Sequence, residues 1–267
     1  MEMELNLKNI CLKSCEVARI AGEYIARERT RFDISKVEYK GIHDLVSYVD
    51  KQAEQLIVSE LKQVLPEAGF IAEEGTESAT SSDYQWIIDP LDGTTNFIQG
   101  IPVFSVSIGL AHKGVMLLGV VYEIGQQECF YAWKGGGAYL NEKPIRISGH
   151  ADMHQCLLAT GFPYTDFSKL DSYLEFLKWT MRSSRGVRRI GSAAVDLAYV
   201  ACGRFDAFWE YDLKPWDVAA GALLVQESGG IVTDFKGGDG FLFGRTIVAS
   251  NPHVRAELLS KLNQYMG

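Results

Sequence analysis

Trp86-Ile87-Ile88-Asp89-Pro90-Leu91-Asp92-Gly93-Thr94-Thr95-Asn96-Phe97 reads as an apolar strand that runs into two carboxylates around a proline and then into a turn of small residues. Residues 86–88 suit a buried strand, and Pro90 is expected to stop it by withholding a ladder donor, which leaves Asp89 and Asp92 at the strand end. Residues 93–96 lack bulk and can present free backbone N–H groups at a helix N-terminus, where an anion is favoured. Two hard-oxygen ligands and an anion hole then lie within a few residues of each other, the arrangement that Mg²⁺-dependent phosphate chemistry needs. Taken alone, the same letters also describe a turn capped by side-chain carboxylates.

Three further segments bear on that choice. Residues 69–75, Gly-Phe-Ile-Ala-Glu-Glu-Gly, form a second apolar strand ending in adjacent carboxylates, Glu73 and Glu74. In Leu213-Lys214-Pro215-Trp216-Asp217-Val218-Ala219-Ala220-Gly221, Pro215 suits a first helical turn and puts Asp217 at the N-terminal end of an apolar helix. Residues 40–50, Lys-Gly-Ile-His-Asp-Leu-Val-Ser-Tyr-Val-Asp, are a basic and polar loop leading into a helix that carries Ala53, Leu56, Ile57, Leu61 and Val64. Each segment has an ordinary explanation as a solvated strand end, a dipole partner or a loop; their combination does not.

The 267 residues, 47% of them hydrophobic, allow one large domain or two small ones around a sizeable core. A formal net charge of −8 argues against general nucleic-acid binding, which relies on a basic surface. The acidic start Met1-Glu2-Met3-Glu4 leads into an amphipathic helix, without the basic and apolar regions of a secretion signal, and no run approaches a membrane span of roughly 18 apolar residues. A soluble cytoplasmic protein with no membrane partner is therefore expected. Five cysteines without Cys-x-x-Cys spacing speak against a disulfide framework or a zinc site. The five histidines are scattered, with no Ser or Cys nucleophile motif beside them.

Helical spacing of Leu7, Ile10, Val17, Ala21, Tyr24 and Ile25 predicts an opening helix, followed by a second over 47–64. Strand signals at 70–72, 86–88, 103–110, 115–121 and 128–132 predict an antiparallel meander, with turn material at 135–137 and 141–144 and a surface loop over 77–83. The second half alternates: helices capped by Ser168 and Ser192, a strand over 205–209 with Glu210 at its end, a helix over 215–227 closed by Gly229-Gly230, and a last helix opened by Asn251-Pro252.

On Glu73-Glu74, Asp89-Pro90-Leu91-Asp92-Gly93-Thr94-Thr95-Asn96-Phe97 and Trp216-Asp217-Val218-Ala219-Ala220-Gly221, in this order and at these separations, the chain closely resembles the inositol monophosphatase family of Mg²⁺-dependent, lithium-sensitive phosphomonoesterases. Asp44-Leu45-Val46-Ser47 followed by Asp50 extends the resemblance, with Ser47 where the family usually has Thr. Residues 160–164 and 189–194 resemble the bacterial inositol-1-monophosphatase branch.

The resemblance implies an α+β fold, a five-layer αβαβα sandwich of the inositol monophosphatase and fructose-1,6-bisphosphatase type, in one domain over 1–267 with subdomains at about 1–150 and 151–267. It assigns Glu73, Asp89 and the Leu91 carbonyl to one Mg²⁺, Asp89, Asp92 and Asp217 to a second, and Glu73 with water to a weaker third. Thr94, with Asp50 behind its hydroxyl, orients or deprotonates the attacking water, and Glu73 is the other candidate base. Gly93 and Thr94 hold phosphate oxygens; Asp92, the backbone at Ala193 and Glu210 hold a polyol; Lys40 sits in a mobile loop that helps place the third ion. A small phosphate ester as substrate and a homodimer are implied as well. Fructose-1,6-bisphosphatase or 3′-phosphoadenosine phosphatase activity, or a catalytically silent scaffold, are the competing expectations.

Overall fold

The computed structural model of the chain describes residues 5–33, 38–39, 45–76 and 82–267. Helix α1 (Leu7–Arg29) buries Ile10, Val17, Ala21 and Ile25, the stripe its periodicity predicts. A short ribbon, β1 (Glu38–Tyr39) with β2 (Leu45–Val46), precedes α2 (Tyr48–Val64). Ser47 caps α2: its hydroxyl accepts the Val49 amide at 3.1 Å while the Asp50 carboxylate reaches back to the Ser47 amide at 2.9 Å.

Seven strands follow in one sheet, ordered as in the chain: β3 (Gly69–Ala72), β4 (Tyr84–Asp92), β5 (Ser105–His112), β6 (Val115–Glu123), β7 (Glu128–Trp133), β8 (Gly137–Leu140) and β9 (Lys143–Ile145). Only β3 and β4 run parallel; every later pair is antiparallel. Pro90 does not stop β4, contrary to expectation. The strand runs on to Asp92, and between the pairs Asp89↔Ser107 and Asp92↔Ser105 its register shifts, so that Pro90 and Leu91 oppose Val106 alone. Such a bulge is where a ladder tolerates a residue without an N–H. The meander is also longer than expected: residues 137–140 and 143–145 pair as β8 and β9, taking in Gly137, Lys143 and Pro144, which were expected in turns. Helix α3 (Thr94–Gln99) leaves β4 through Gly93.

The second half builds a five-stranded sheet in the order β11-β10-β12-β14-β13 from β10 (Leu157–Thr160), β11 (Gly186–Arg188), β12 (Ala207–Tyr211), β13 (Ile231–Thr233) and β14 (Thr246–Ser250). Between them run α4 (Leu170–Ser183), α5 (Ala193–Ala201) and α6 (Pro215–Glu227), and α7 (Arg255–Met266) ends the chain. Ser192 caps α5 as expected. Ser168 does not cap α4, whose first residue follows Lys169. Glu210 lies inside β12, paired with Ile247, because the strand starts two residues later than its apolar run.

These elements stack as a five-layer αβαβα sandwich. Along β4, Trp86 and Ile88 enter the core under α1 and α2, whereas Ile87 faces the core around α5 and α6, the two-residue alternation of a strand buried on both sides. Helices α5 and α6 thus form the middle layer, and α4 and α7 cover the outer face of the small sheet through Tyr173, Phe176, Trp209, Val248 and Leu258. The middle layer lies close: a Cβ on Gly119 of β6 would fall 2.5 Å from the Ala220 carbonyl oxygen of α6. Among the described residues, no helix is long and apolar enough to cross a membrane.

Candidate active site

The bulged end of β4, the loop after β3 and the first turns of α5 and α6 open onto one cavity of about 260 Å³. Glu73, Asp89, Asp92 and Asp217 all line it, as do Leu91, Gly93, Thr94, Ala193 and Glu210. Of the residues to which the resemblance gives a role, Asp50 stands behind Thr94 rather than on the wall, and Lys40 lies outside the described residues.

Each carboxylate is held by local chain geometry. Asp89 Oδ1 accepts the Leu91 amide at 2.9 Å, across the proline that makes the bulge. Asp92 Oδ2 accepts the Ser192 hydroxyl at 2.6 Å and the Ala194 amide at 2.7 Å, and Asp217 Oδ2 accepts the Lys214 amide at 2.7 Å. Glu73 is carried by a loop that a buried glutamate fixes from below: Glu54 of α2, fully shielded from solvent, accepts the amides of Glu74 and Thr76 at 2.7 Å each. Burial raises the Asp89 carboxyl well above the usual carboxylate range, and Glu73, Asp92 and Asp217 push it further. Asp92 is raised to about 6 by burial, against the pull of Ser192 and of the Ala194 and Ala193 amides.

Four carboxylates that repel one another call for counter-charge. Glu73, Asp89, Asp92, Asp217 and the Leu91 carbonyl are all hard oxygen donors, the type that suits Mg²⁺ rather than a softer ion. Among the described residues, no three His, Cys, Asp or Glu side chains stand in a ready-made metal-binding arrangement. Asp89, Asp92 and Asp217 instead each give an oxygen to the chain's own donors, and a cation seated there would compete for those oxygens.

Thr94 is positioned from two sides. Its hydroxyl lies 2.9 Å from Asp50 Oδ1 and 3.0 Å from the Leu91 carbonyl oxygen. Asp50 is itself anchored by the amide and hydroxyl of Ser47, the latter at 2.6 Å, and burial raises its carboxyl above the ordinary value. Gly93 adopts φ +96°, and a Cβ there would meet the backbone oxygens of Val103 and Gly191 at 3.1 and 3.2 Å, so only glycine fits this corner. Asn96 closes it, donating to the carbonyls of Val103 at 2.7 Å and Ile190 at 2.8 Å.

The opposite wall comes from the small sheet. Glu210 is 4% exposed, and a Cβ on Gly161 would sit 2.0 Å from its Oε2, so the glycine makes room for the carboxylate. Burial, then Asp217, raises the Glu210 carboxyl; Arg189 opposes this. Sequence reasoning missed Asp196, Tyr164 and Asp212 on this wall and Glu54 beneath the other. Asp212 holds the wall's edge, its Oδ2 accepting the amides of Thr165 and Asp166 at 2.9 Å each.

A sequence model described as the inositol monophosphatase family matches residues 7–266. The chain belongs to the inositol monophosphatase family. It is 46% identical over 263 residues to a Nus factor SuhB of Pseudomonas aeruginosa, covering 97% of this chain and 96% of that one. It is 40% identical over 250 residues to an inositol-1-monophosphatase of Mesorhizobium japonicum, covering 93% and 94%. The fold matches the crystal structure of the extragenic suppressor protein suhB from Bartonella henselae with a TM-score of 0.90 at 40% identity, over 97% of this chain and 99% of that one. Membership in the inositol monophosphatase family supports a phosphatase and agrees with the hard-oxygen character of the cavity.

Proposed function

We propose that the chain hydrolyses the phosphate monoester of a small polyol or sugar, myo-inositol 1-phosphate in the first instance, with Mg²⁺. The observation that carries this reading is the convergence of Glu73, Asp89, Asp92 and Asp217 on one cavity whose other wall holds the buried Glu210. Glu73, Asp89 and the Leu91 carbonyl would hold one ion, Asp89, Asp92 and Asp217 a second, and Glu73 with water a third. Bound there, Mg²⁺ supplies a water of lowered pKa and neutralises charge on the phosphate and the leaving alkoxide.

The chain's own groups do the rest. Thr94, its hydroxyl pinned by Asp50, orients the water for in-line attack, with Glu73 as the alternative base. The amides of Gly93 and Thr94 face phosphate oxygens, while Asp92, the Ala193 backbone and Glu210 receive polyol hydroxyls. The family resemblance adds a homodimer and inhibition by lithium.

A panel of phosphate esters assayed with Mg²⁺ tests the reading: inositol and sugar monophosphates are expected to be the best substrates. Preference for fructose 1,6-bisphosphate or a 3′-phosphoadenosine nucleotide would move the chain to another branch, and no hydrolysis of any ester would leave the silent scaffold. The name Nus factor, carried by relatives at 44–46% identity, supports a second reading, in which the chain also serves transcription. With a net charge of −8, we expect no direct binding to labelled RNA or DNA in fluorescence anisotropy, so that any such role runs through a protein partner.

A further inference from the structure

Asp196, in the second half of the first turn of α5, is 1% exposed, yet it lines the cavity beside Glu210, and its Oδ1 has no hydrogen-bond partner among the described residues. A carboxyl oxygen buried in this state is costly unless something donates to it. The helix does not need it as a cap: Ser192 takes the Val195 amide at 3.3 Å and Asp92 takes the Ala194 amide at 2.7 Å.

The surroundings are acidic. Asp92 and Glu210 both bear on Asp196 with negative charge. Arg189 acts electrostatically on all three carboxyls, but its guanidinium already donates to the Tyr164 hydroxyl at 2.5 Å and lies 5.7 and 5.8 Å from the rings of Phe162 and Tyr164. This wall is therefore rich in carboxyl oxygens and carries more acidic side chains than basic ones. Its chemical complement is an uncharged group with several hydroxyl donors, and a second anionic group on the ligand would be repelled.

We propose that Asp196 and Glu210 together form a hydroxyl-accepting wall, with Asp196 taking a substrate hydroxyl of its own, so that the site selects monophosphates of uncharged polyols over esters bearing a second anionic group. This rests on the phosphatase reading of the cavity and adds to it a specificity-determining residue and a rule of exclusion.

The test compares wild type with Asp196→Asn, close in shape, and Asp196→Ala. With Mg²⁺, kcat/KM is measured for myo-inositol 1-phosphate, fructose 1,6-bisphosphate and 4-nitrophenyl phosphate, and binding of free myo-inositol is measured by calorimetry. In Asp196→Ala the ratio of polyol to aryl kcat/KM is expected to fall about 10-fold or more, the size of a hydrogen bond lost at a buried group, and in Asp196→Asn, which keeps one acceptor oxygen, by less. The ratio of bisphosphate to polyol monophosphate should rise. Polyol and aryl esters falling together, or both ratios staying as in wild type, would overturn the proposal. If wild type hydrolyses no ester at all, it is the phosphatase reading that fails, and calorimetry then decides: myo-inositol binding weakened at least about 10-fold in Asp196→Ala upholds the wall, and binding that is absent or equal in the two proteins removes it.

Discussion

Asp92 accepts the amide of Ala194 at 2.7 Å, so the last residue of a strand in the seven-stranded sheet caps the helix that leads into the five-stranded one. The same carboxylate is a proposed metal ligand. Asp92→Asn keeps an oxygen for the cap and removes the charge, so turnover should fall across the whole ester panel while the fold persists. Asp92→Ala should in addition lower stability by about 0.5–2 kcal/mol, the usual worth of a cap. An Asn variant that loses activity only on polyol esters would contradict the metal role.

Mg²⁺ should stabilise the fold by relieving repulsion among Glu73, Asp89, Asp92 and Asp217. Binding to the folded state alone adds about 2.7 kcal/mol at a metal concentration 100 times Kd. A thermal melt that does not move between EDTA and millimolar Mg²⁺ speaks against these ligands.

Glu54 tests how the loop bearing Glu73 is held. Glu54→Ala leaves the amides of Glu74 and Thr76 without their acceptor, at a cost of about 2–4 kcal/mol in urea unfolding, and it should weaken Mg²⁺ affinity as well. Glu54→Gln, which keeps one acceptor oxygen, should lose less. Equal stability of all three proteins would show that the loop holds itself.

Gly161 is outside the left-handed region that favours glycine, so Gly161→Ala acts chiefly through space. The added methyl collides with the Glu210 carboxylate, and the ratio of polyol to aryl kcat/KM should drop. Combined with Glu210→Gln, the loss should be less than additive, because both changes disturb one contact. Full additivity would separate the two residues.

The raised carboxyl of Asp196 also predicts a pH dependence. Burial, then Glu210 and Asp92, keeps its folded pKa well above the unfolded value near 3.8. Its folded form therefore holds its proton longer, and its contribution to stability, whole below the unfolded pKa, is lost as pH rises through the folded one. The melting temperature of Asp196→Asn minus that of wild type should be smallest at about pH 4 and grow toward neutral and alkaline pH. A difference that shrinks as pH rises reverses the sign and refutes the burial argument.

The site was legible where its chemistry is written locally. Asp89, Asp92 and Gly93 are consecutive or nearly so, and Pro215 announces both the start of α6 and the place of Asp217. Residues whose meaning depends on a distant neighbour were not legible. Glu54 is a charged residue within the buried stripe of α2, and what its carboxylate serves shows only once the loop after β3 brings two amides onto it. Asp196 looks like a dipole partner in a first turn until β12 covers it. Strands β8 and β9 are short and mixed with turn letters, Gly137 and Pro144, and they form because an edge of the meander is there to pair with. Pro90 misled for the same reason: a bulge is a property of two strands, and one strand's letters cannot show it.

Gly119 never touches the cavity, yet α6 rests against it three positions beyond Asp217. With the helix backbone seated on that glycine, α6 can neither roll nor slide without lifting off β6, and the height of the Asp217 carboxylate above β4 is set from the middle of the sheet. In a genetic screen for lost activity, Gly119 substitutions should therefore be recovered alongside those at Asp217, and a map of conspicuous side chains alone would leave them unexplained.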